Sequence, residues 1–353
     1  MPIDKININD FFLKLDKTIL FDVRSPSEYN YAHIPGAKSL PIFSDEERKI
    51  IGTVYKKESR EKAIKIGLEF FGKKTVHLIE NTESILLHNK FDLKEISIYC
   101  WRGGMRSSSM AWLFDLYGFK VNLIIGGYKS YRTWALQQFE NEYQLNIISG
   151  YTGSNKTGII QELKKQNEPV IDLEKLAEHK GSAFGNLNLV PQPSQEYFEN
   201  LLAFDLFKLN LSYPKNSIWI EDESQRIGQV NIPTPFFKLM RSSPILFLTV
   251  PFELRLNHII EGYGKFEKEK LINAIIRIKK KLGGLETKQA INFLLENDIK
   301  SCFSELLKYY DKQYLKGRAK RNNIENEITQ LFYNTTQAHL NAEDLIKYVR
   351  KKT

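Results

Sequence analysis

The sequence predicts an α/β chain with a helical C-terminal region, and three observations predict it. Short apolar runs alternate with helix-like stretches through the first two thirds, the arrangement of a largely parallel sheet covered by helices. Two of those runs end in glycine-containing turns that lead into helices. From about residue 253 the strand-like runs give way to long amphipathic stretches. The organisation expected is an α/β domain over 1–140, a second α/β domain over 141–252, and a helical region over 253–353 packed on the second domain.

The elements follow in order. "TILFDVR", "ISIYC" and "VNLIIGG" read as strands, with "SSMAWLFDLYGF" as a helix between the last two. The second domain opens with "LNIISGYTGSNKTGIIQELKK", which reads strand, turn, helix, and "PVIDLE", "SIWIEDES" and "PILFLTV" supply further strands. In the last region Leu271, Ile275, Ile278 and Leu282 share one helix face, and Gly283-Gly284 reads as the stop of that helix. Phe303, Leu306, Leu307, Tyr310 and Tyr314 form a second stripe, read as core.

Composition narrows the function classes. With 353 residues and 42% hydrophobic content the chain can bury two or three cores, which excludes a disordered protein. Its two cysteines, Cys100 and Cys302, make no disulfide framework, so a reducing cytoplasm is the expected setting. The start "MPIDKININDFFLKL" lacks the apolar core of a signal peptide, and no run reaches the ~20 residues of a membrane span, so no membrane partner is expected. The net charge is +9, and residues 251–353 hold 20 of the 51 Lys and Arg but only 13 of the 42 Asp and Glu. That excess suits a phosphate-rich partner, although a solvated lysine-rich surface accounts for it equally well.

Cys100 ends an apolar strand and is followed by Arg102, Gly103, Gly104 and Arg106. A strand-to-helix turn aims backbone N–H groups at the sulfur, and the helix N-terminus adds positive potential. Such surroundings favour a thiolate and hold an anion beside it. Five residues separate Cys100 from Arg106, a loop wide enough for a tetrahedral oxyanion, with the two glycines letting the backbone approach. A buried, inert cysteine is the plain alternative, but it leaves the arginines and glycines without a purpose.

"GYTGSNKT" approximates the phosphate-binding pattern G-x-x-x-x-G-K-[ST]. Gly150, Lys156 and Thr157 are in register, Gly153 and Ser154 lie within the bend, and Asn155 replaces the second motif glycine. Asparagine tolerates positive φ better than other non-glycine residues, so the turn is expected to survive. The loop amides and Lys156 would bind a diphosphate, and Thr157 would ligate Mg²⁺. "WIEDES" ends a strand in Glu221 and Asp222, where a metal-organising carboxylate or a substrate contact is expected. A solvated strand end is the competing reading. His179 and Ser182 sit in a polar, glycine-containing run after a strand, as substrate-contact loops do, although a capped helix end explains them nearly as well.

"FDVRSPSEYNYAHIPGA", the Cys100 loop and "YGFKVNLIIGGYKSYRTW" together resemble a rhodanese domain across residues 1–140. The five-residue spacing is that of the related phosphatases and arsenate reductases rather than of sulfur-carrying rhodaneses. Joined to a P-loop domain, and with "DLEKLAEHKGSAFG", "QPSQEYFEN" and "IWIEDESQRIG", the whole chain resembles the tRNA 2-selenouridine synthase family. It departs from that pattern at Asn155 and at Lys180, where the family carries arginine and its bidentate fork.

The resemblance implies that tRNA is the partner and that selenophosphate and geranyl diphosphate are co-substrates, with no tightly bound cofactor. Wobble 2-thiouridine would be geranylated and then selenated. Cys100 would carry selenium as an S-selanyl group, with Arg102, Gly103, Gly104 and Arg106 on the selenophosphate, while Gly150 to Thr157 would hold the diphosphate. Arg24, Glu28 and His33 are expected to brace loops rather than to react. Two other functions stay open on the residues themselves: a cysteine-dependent phosphatase or arsenate reductase, and an ATP-binding kinase-like or regulatory protein with a rhodanese sensor. The oligomeric state is left open.

Overall fold

Runs of Val, Ile, Leu and Phe too short for helices become the buried strands of two parallel sheets. A computed structural model of the chain describes residues 3–15, 17–88, 95–179, 191–319 and 328–352. The first sheet comprises β1 (Asp4–Ile6), β2 (Ile19–Asp22), β3 (Lys38–Ser39), β4 (Glu95–Tyr99) and β5 (Lys120–Ile124). Its order is β1-β5-β4-β2-β3, and every pairing is parallel. β2 is buried along its whole length and β4 at all but its first residue, as a sheet covered on both faces demands. Phe21, Val23, Ile96, Ile98, Met110 and Phe114 belong to one buried core there.

Between β3 and β4 the chain inserts three helices, Asp45–Lys57, Arg60–Gly72 and Thr75–His88, which the sequence pattern had not separated. The first opens on a capping box. Ser44 Oγ accepts from the Glu47 amide (3.2 Å), and the Glu47 carboxylate accepts from the Ser44 amide (2.8 Å).

The second sheet comprises β6 (Leu145–Gly150), β7 (Val170–Ile171), β8 (Ile218–Glu221), β11 (Ile245–Thr249) and β12 (Ile328–Phe332), with the short hairpin β9 (Arg226–Ile227) and β10 (Val230–Asn231) beside it in sequence. Its order is β12-β11-β6-β8-β7, again all parallel. After central β6 the chain runs outward to β7 and back to β8, then crosses to β11 and β12 on the other side. The turn after β6 therefore stands at the topological switch point, where such sheets bind ligands.

β12 is a strand inside the stretch expected to be helical, and it completes this sheet. The helix expected to run through Leu282 breaks at Ile278 into Lys268–Arg277 and Lys279–Leu282. It does stop at Gly283, which takes φ 112°.

The chain forms two compact units: Met1–Gln138 with Glu199–Phe204, and Phe139–Phe198 with Asp205–Thr353. The short segment belongs with the first because Asn200 Nδ2 donates to Tyr128 Oη (2.8 Å) and the His33 carbonyl (2.9 Å), while Arg132 pairs with Glu199 (2.6 Å). The C-terminal helices share the unit of the second sheet, and Phe303, Leu306, Leu307 and Cys302 are buried in their common core. Among the described residues no helix is long and apolar enough to cross a membrane.

Candidate functional site

Two strand-to-helix turns stand at the C-terminal ends of the central strands β4 and β6. In the first, Cys100 follows β4 and is 3% exposed. Its Sγ lies 3.1 Å from Ser107 Oγ and 4.0 Å from the Gly104 carbonyl. The helix Met105–Tyr117 starts directly after Gly104, so its free N–H groups face the turn. Gly103 is required by geometry, with φ 65° and room for a Cβ only 2.8 Å from the Ile124 carbonyl, whereas a Cβ on Gly104 would meet nothing within 4 Å. The loop is fastened from behind: the Tyr128 amide donates to the Cys100 carbonyl (2.8 Å) and that of Lys129 to the Trp101 carbonyl (3.0 Å). This ties "GGYKSYR" to the cysteine turn.

Arg102 is exposed at the mouth of this loop. Arg106 is held: its Nη1 donates to Glu28 Oε2 (2.7 Å) and Nη2 to Oε1 (3.4 Å). Burial opposes ionisation of Glu28, but the Arg106 hydrogen bond and charge overcome it and keep its carboxyl below the usual carboxylate range. Glu28 thus grips a cation of the cradle itself, beyond the loop-bracing expected of it. Arg24 does brace. It is buried against Asp22 (Nη2 to Oδ2, 2.6 Å), donates to the Ala32 carbonyl (2.7 Å) and lies 4.0 Å from the centre of the Tyr128 ring. His33 Nδ1 sits 2.9 Å from the Tyr29 carbonyl, with the two rings stacked at 3.9 Å. Ser107, the nearest side chain to the sulfur, carried no sequence signal beyond its place in a serine run.

The second cradle is the turn from Gly150 to Thr157. Asn155 adopts φ 59° and ψ 39°, the left-handed conformation its residue type allows. Its Oδ1 accepts from the Gly158 amide (3.2 Å), capping the helix Lys156–Lys165, and its Nδ2 donates to the Thr336 carbonyl (2.8 Å). Gly153, at φ 86°, passes so close to the helix Phe252–Tyr263 that a Cβ would stand 2.8 Å from the Arg255 carbonyl. Ser154 is buried and donates to the Tyr151 carbonyl (2.7 Å). Lys156 Nζ folds back onto the Gly150 carbonyl (2.9 Å), a bond that an incoming oxyanion can replace.

Carboxylates crowd this second turn. Thr157 Oγ1 donates to Glu174 Oε2 (2.9 Å), and the Glu174 amide donates to Glu221 Oε1 (2.8 Å). Burial, then the charge of Glu174, pushes Glu221 well above the usual range, and the same two causes raise Glu223 to about 7. A hydroxyl and oxygen donors repelled by one another suit a hard divalent cation. Among the described residues no three His, Cys, Asp or Glu side chains converge as a ready metal site.

Asp222, whose charge also raises Glu223, is held by a network of its own. Its carboxylate accepts from Ser149 Oγ (2.5 Å), Tyr314 Oη (3.1 Å) and Arg241 Nη1 (3.0 Å). Tyr314, read as core from its stripe, is half of a polar lock under the turn, and it also bonds Ser149. His179 follows the helix Leu173–Leu176, its amide donating to the Glu174 carbonyl (3.0 Å), and burial lowers its imidazole pKa. Ser182 and Lys180 lie outside the described residues. Thr152 of the turn shares a small apolar cavity with Ile259, Tyr263, Phe303, Leu306 and Leu307. Nothing in the sequence pattern separated these cavity walls from ordinary core.

Comparison with known proteins matches residues 143–340 to the family profile described as the tRNA 2-selenouridine synthase AAA domain, and residues 12–133 to that of the rhodanese-like domain. A tRNA 2-selenouridine synthase of Bdellovibrio bacteriovorus is 34% identical, with 90% of this chain and 92% of the relative aligned. That of Nitrosomonas eutropha is 41% identical over 70% of this chain, and the match spans 63% of the relative's length. That of Nitrosomonas europaea is 40% identical, covering 73% and 67%.

Proposed function

The chain belongs to the tRNA 2-selenouridine synthase family, and on that premise we propose that it exchanges the sulfur of 2-thiouridine at the tRNA wobble position for selenium, by geranylation followed by selenation. The observation that carries a two-step reading is the presence of two anion cradles with different chemistry. One carries the Cys100 thiol in the same turn as Arg102 and Arg106, and the other carries Lys156 near the Glu223 carboxylate. A thiocarbonyl sulfur leaves poorly, and alkylation makes it a better leaving group.

In the first step the thiouridine sulfur attacks C1 of geranyl diphosphate. The S–C bond forms as the C–O bond breaks, and the diphosphate departs into the turn from Gly150 to Thr157. Lys156 and the amides of Gly153, Ser154 and Asn155 take up its charge. Thr157 and Glu174 would hold Mg²⁺, which when bound neutralises the departing diphosphate.

In the second step Arg102, Arg106 and the amides of Gly103 and Gly104 seat selenophosphate. Selenium is delivered through Cys100 to C2, where geranylthiolate leaves. Selenium in selenophosphate is already at the selenide level of the product, so an S-selanyl group on Cys100 would require two added reagents, a two-electron oxidant to form it and a thiol to discharge it. Direct attack by selenophosphate needs none, and water then cleaves the Se–P bond to leave phosphate. Selenation assayed with and without dithiothreitol separates these uses of Cys100.

The deciding experiment incubates the chain with 2-thiouridine tRNA, geranyl diphosphate and Mg²⁺, then with selenophosphate, and digests the RNA for nucleoside mass spectrometry. A geranyl mass gain followed by Cys100-dependent selenouridine is the expected result. Unmodified tRNA together with turnover of aryl phosphate or arsenate would transfer the cysteine loop to phosphatase-like chemistry.

A further inference from the structure

The inserted helix Asp45–Lys57 and the turn at Ser25 to Glu28 line an open groove of about 500 Å³. None of the chemistry above uses its cations. Arg48, Lys49, Lys56 and Lys57 line it. Residues 49 and 56 are seven apart, two helical turns, and so share a face at a separation of ~10 Å along the axis. Between them Gly52 leaves the floor without a side chain.

Charge in this groove is sorted. Its two carboxylates are tied to neighbours: Glu28 accepts from Arg106 (2.7 Å) and the Ser25 amide (3.1 Å), and Asp45 from Ser27 Oγ (2.6 Å) and its amide (3.1 Å). Among the described residues Lys49, Lys56 and Lys57 make no ion pair. Arg48 stays 3.9 Å from Glu28 Oε2, and its Nε is buried with no hydrogen-bond partner among those residues. A groove that aims cations at solvent and ties up its carboxylates suits a polyanion. Glu28 also connects it to the cysteine loop, because the same carboxylate that walls the groove grips Arg106.

We infer that this groove holds the ribose-phosphate backbone of the RNA substrate and so leads the reactive nucleotide to the Cys100 loop. The inference rests on the proposed function for its choice of RNA. It sets the main phosphate contacts in the rhodanese-like unit and leaves the basic excess of residues 251–353 to the solvated-surface reading.

The test measures binding of fluorescent 2-thiouridine tRNA to the full chain by anisotropy across a KCl series. It compares the wild type with the Lys49→Glu/Lys56→Glu pair, the milder Lys49→Gln/Lys56→Gln pair, and a Lys279→Glu/Lys281→Glu pair from the C-terminal region. Circular dichroism checks that each is folded. The expected result is at least about tenfold weaker binding for the groove reversal at about 150 mM salt, and a log–log salt slope shallower by ~1.4–1.8 for two lost phosphate contacts. The glutamine pair should show the same slope change. An unchanged slope, or a loss carried by the Lys279/Lys281 pair instead, overturns the inference. So does a groove reversal that weakens orthophosphate binding but spares tRNA, which would make the groove a vestibule for the small oxyanion. A wild-type chain that binds no tRNA at any salt sinks the proposed function itself, and is thereby told apart from failure of the groove alone.

Discussion

The Cys100 turn and the Gly150 turn share one construction, a central parallel strand running through a glycine-containing bend into a helix N-terminus, yet their charges are balanced in opposite ways. At the first, Glu28 engages Arg106 and the sulfur is buried beside a hydroxyl. At the second, Lys156 turns to a backbone carbonyl, while burial and the charge of Glu174 raise Glu221 and Glu223 above the usual carboxylate range. Identical backbone logic therefore yields two kinds of receptor. One turn carries arginines and a thiol, and the other a lysine near carboxylates.

Substitutions can break or sharpen this contrast, and the largest effect is expected at Cys100. Cys100→Ala should lower selenation by about 10³-fold or more while geranylated tRNA accumulates, seen by nucleoside mass spectrometry. Lys156→Ala should do the reverse, slowing geranyl transfer by about 10²–10³-fold and leaving selenation of pre-geranylated tRNA near the wild-type rate. If either variant impairs both steps equally, the two cradles do not divide the labour. Glu28→Gln should cost about tenfold in selenation kcat/KM, because Arg106 loses the charge-assisted bond that aims it; a gain in rate would instead make Glu28 a competitor for the oxyanion.

Smaller effects test the second cradle alone. Glu223 retains its proton in the folded chain up to about pH 7, whereas the unfolded chain loses it in the usual carboxylate range. The native state thus binds more protons in that window, and stability should fall as pH rises from about 4.5 to about 7, with a slope of up to about 1 kcal/mol per pH unit. Glu223→Gln should flatten that part of a urea-unfolding series. Tyr314→Phe removes a donor to Asp222 and should cost about 1 kcal/mol in the same measurement, without touching the cysteine half-reaction.

Much of this was legible along the chain. The two turns, their order and their flanking strands were readable because each depends on residues within about eight positions of one another. Asn155 was readable too, since its left-handed backbone is a property of its own side chain. The hydrogen bond that joins Tyr314 to Asp222 was not legible, for a complementary reason. Alternation and stripe patterns report which face is buried, and a buried tyrosine whose hydroxyl finds a carboxylate has the same pattern as one that packs on leucines.

By itself, then, the sequence determined that the protein would build two glycine-containing strand-to-helix turns on α/β sheets, one bearing a thiol and one a lysine. Only the tertiary structure decided what surrounds them. Glu28 reaches Arg106 across 78 residues, Tyr314 reaches Asp222 across 92, and β12 joins β11 from beyond the helices within residues 252–319. Backbone geometry at a turn is set by local sterics and is written locally. The sign and strength of the field at that turn come from charges that only the path of the chain brings together.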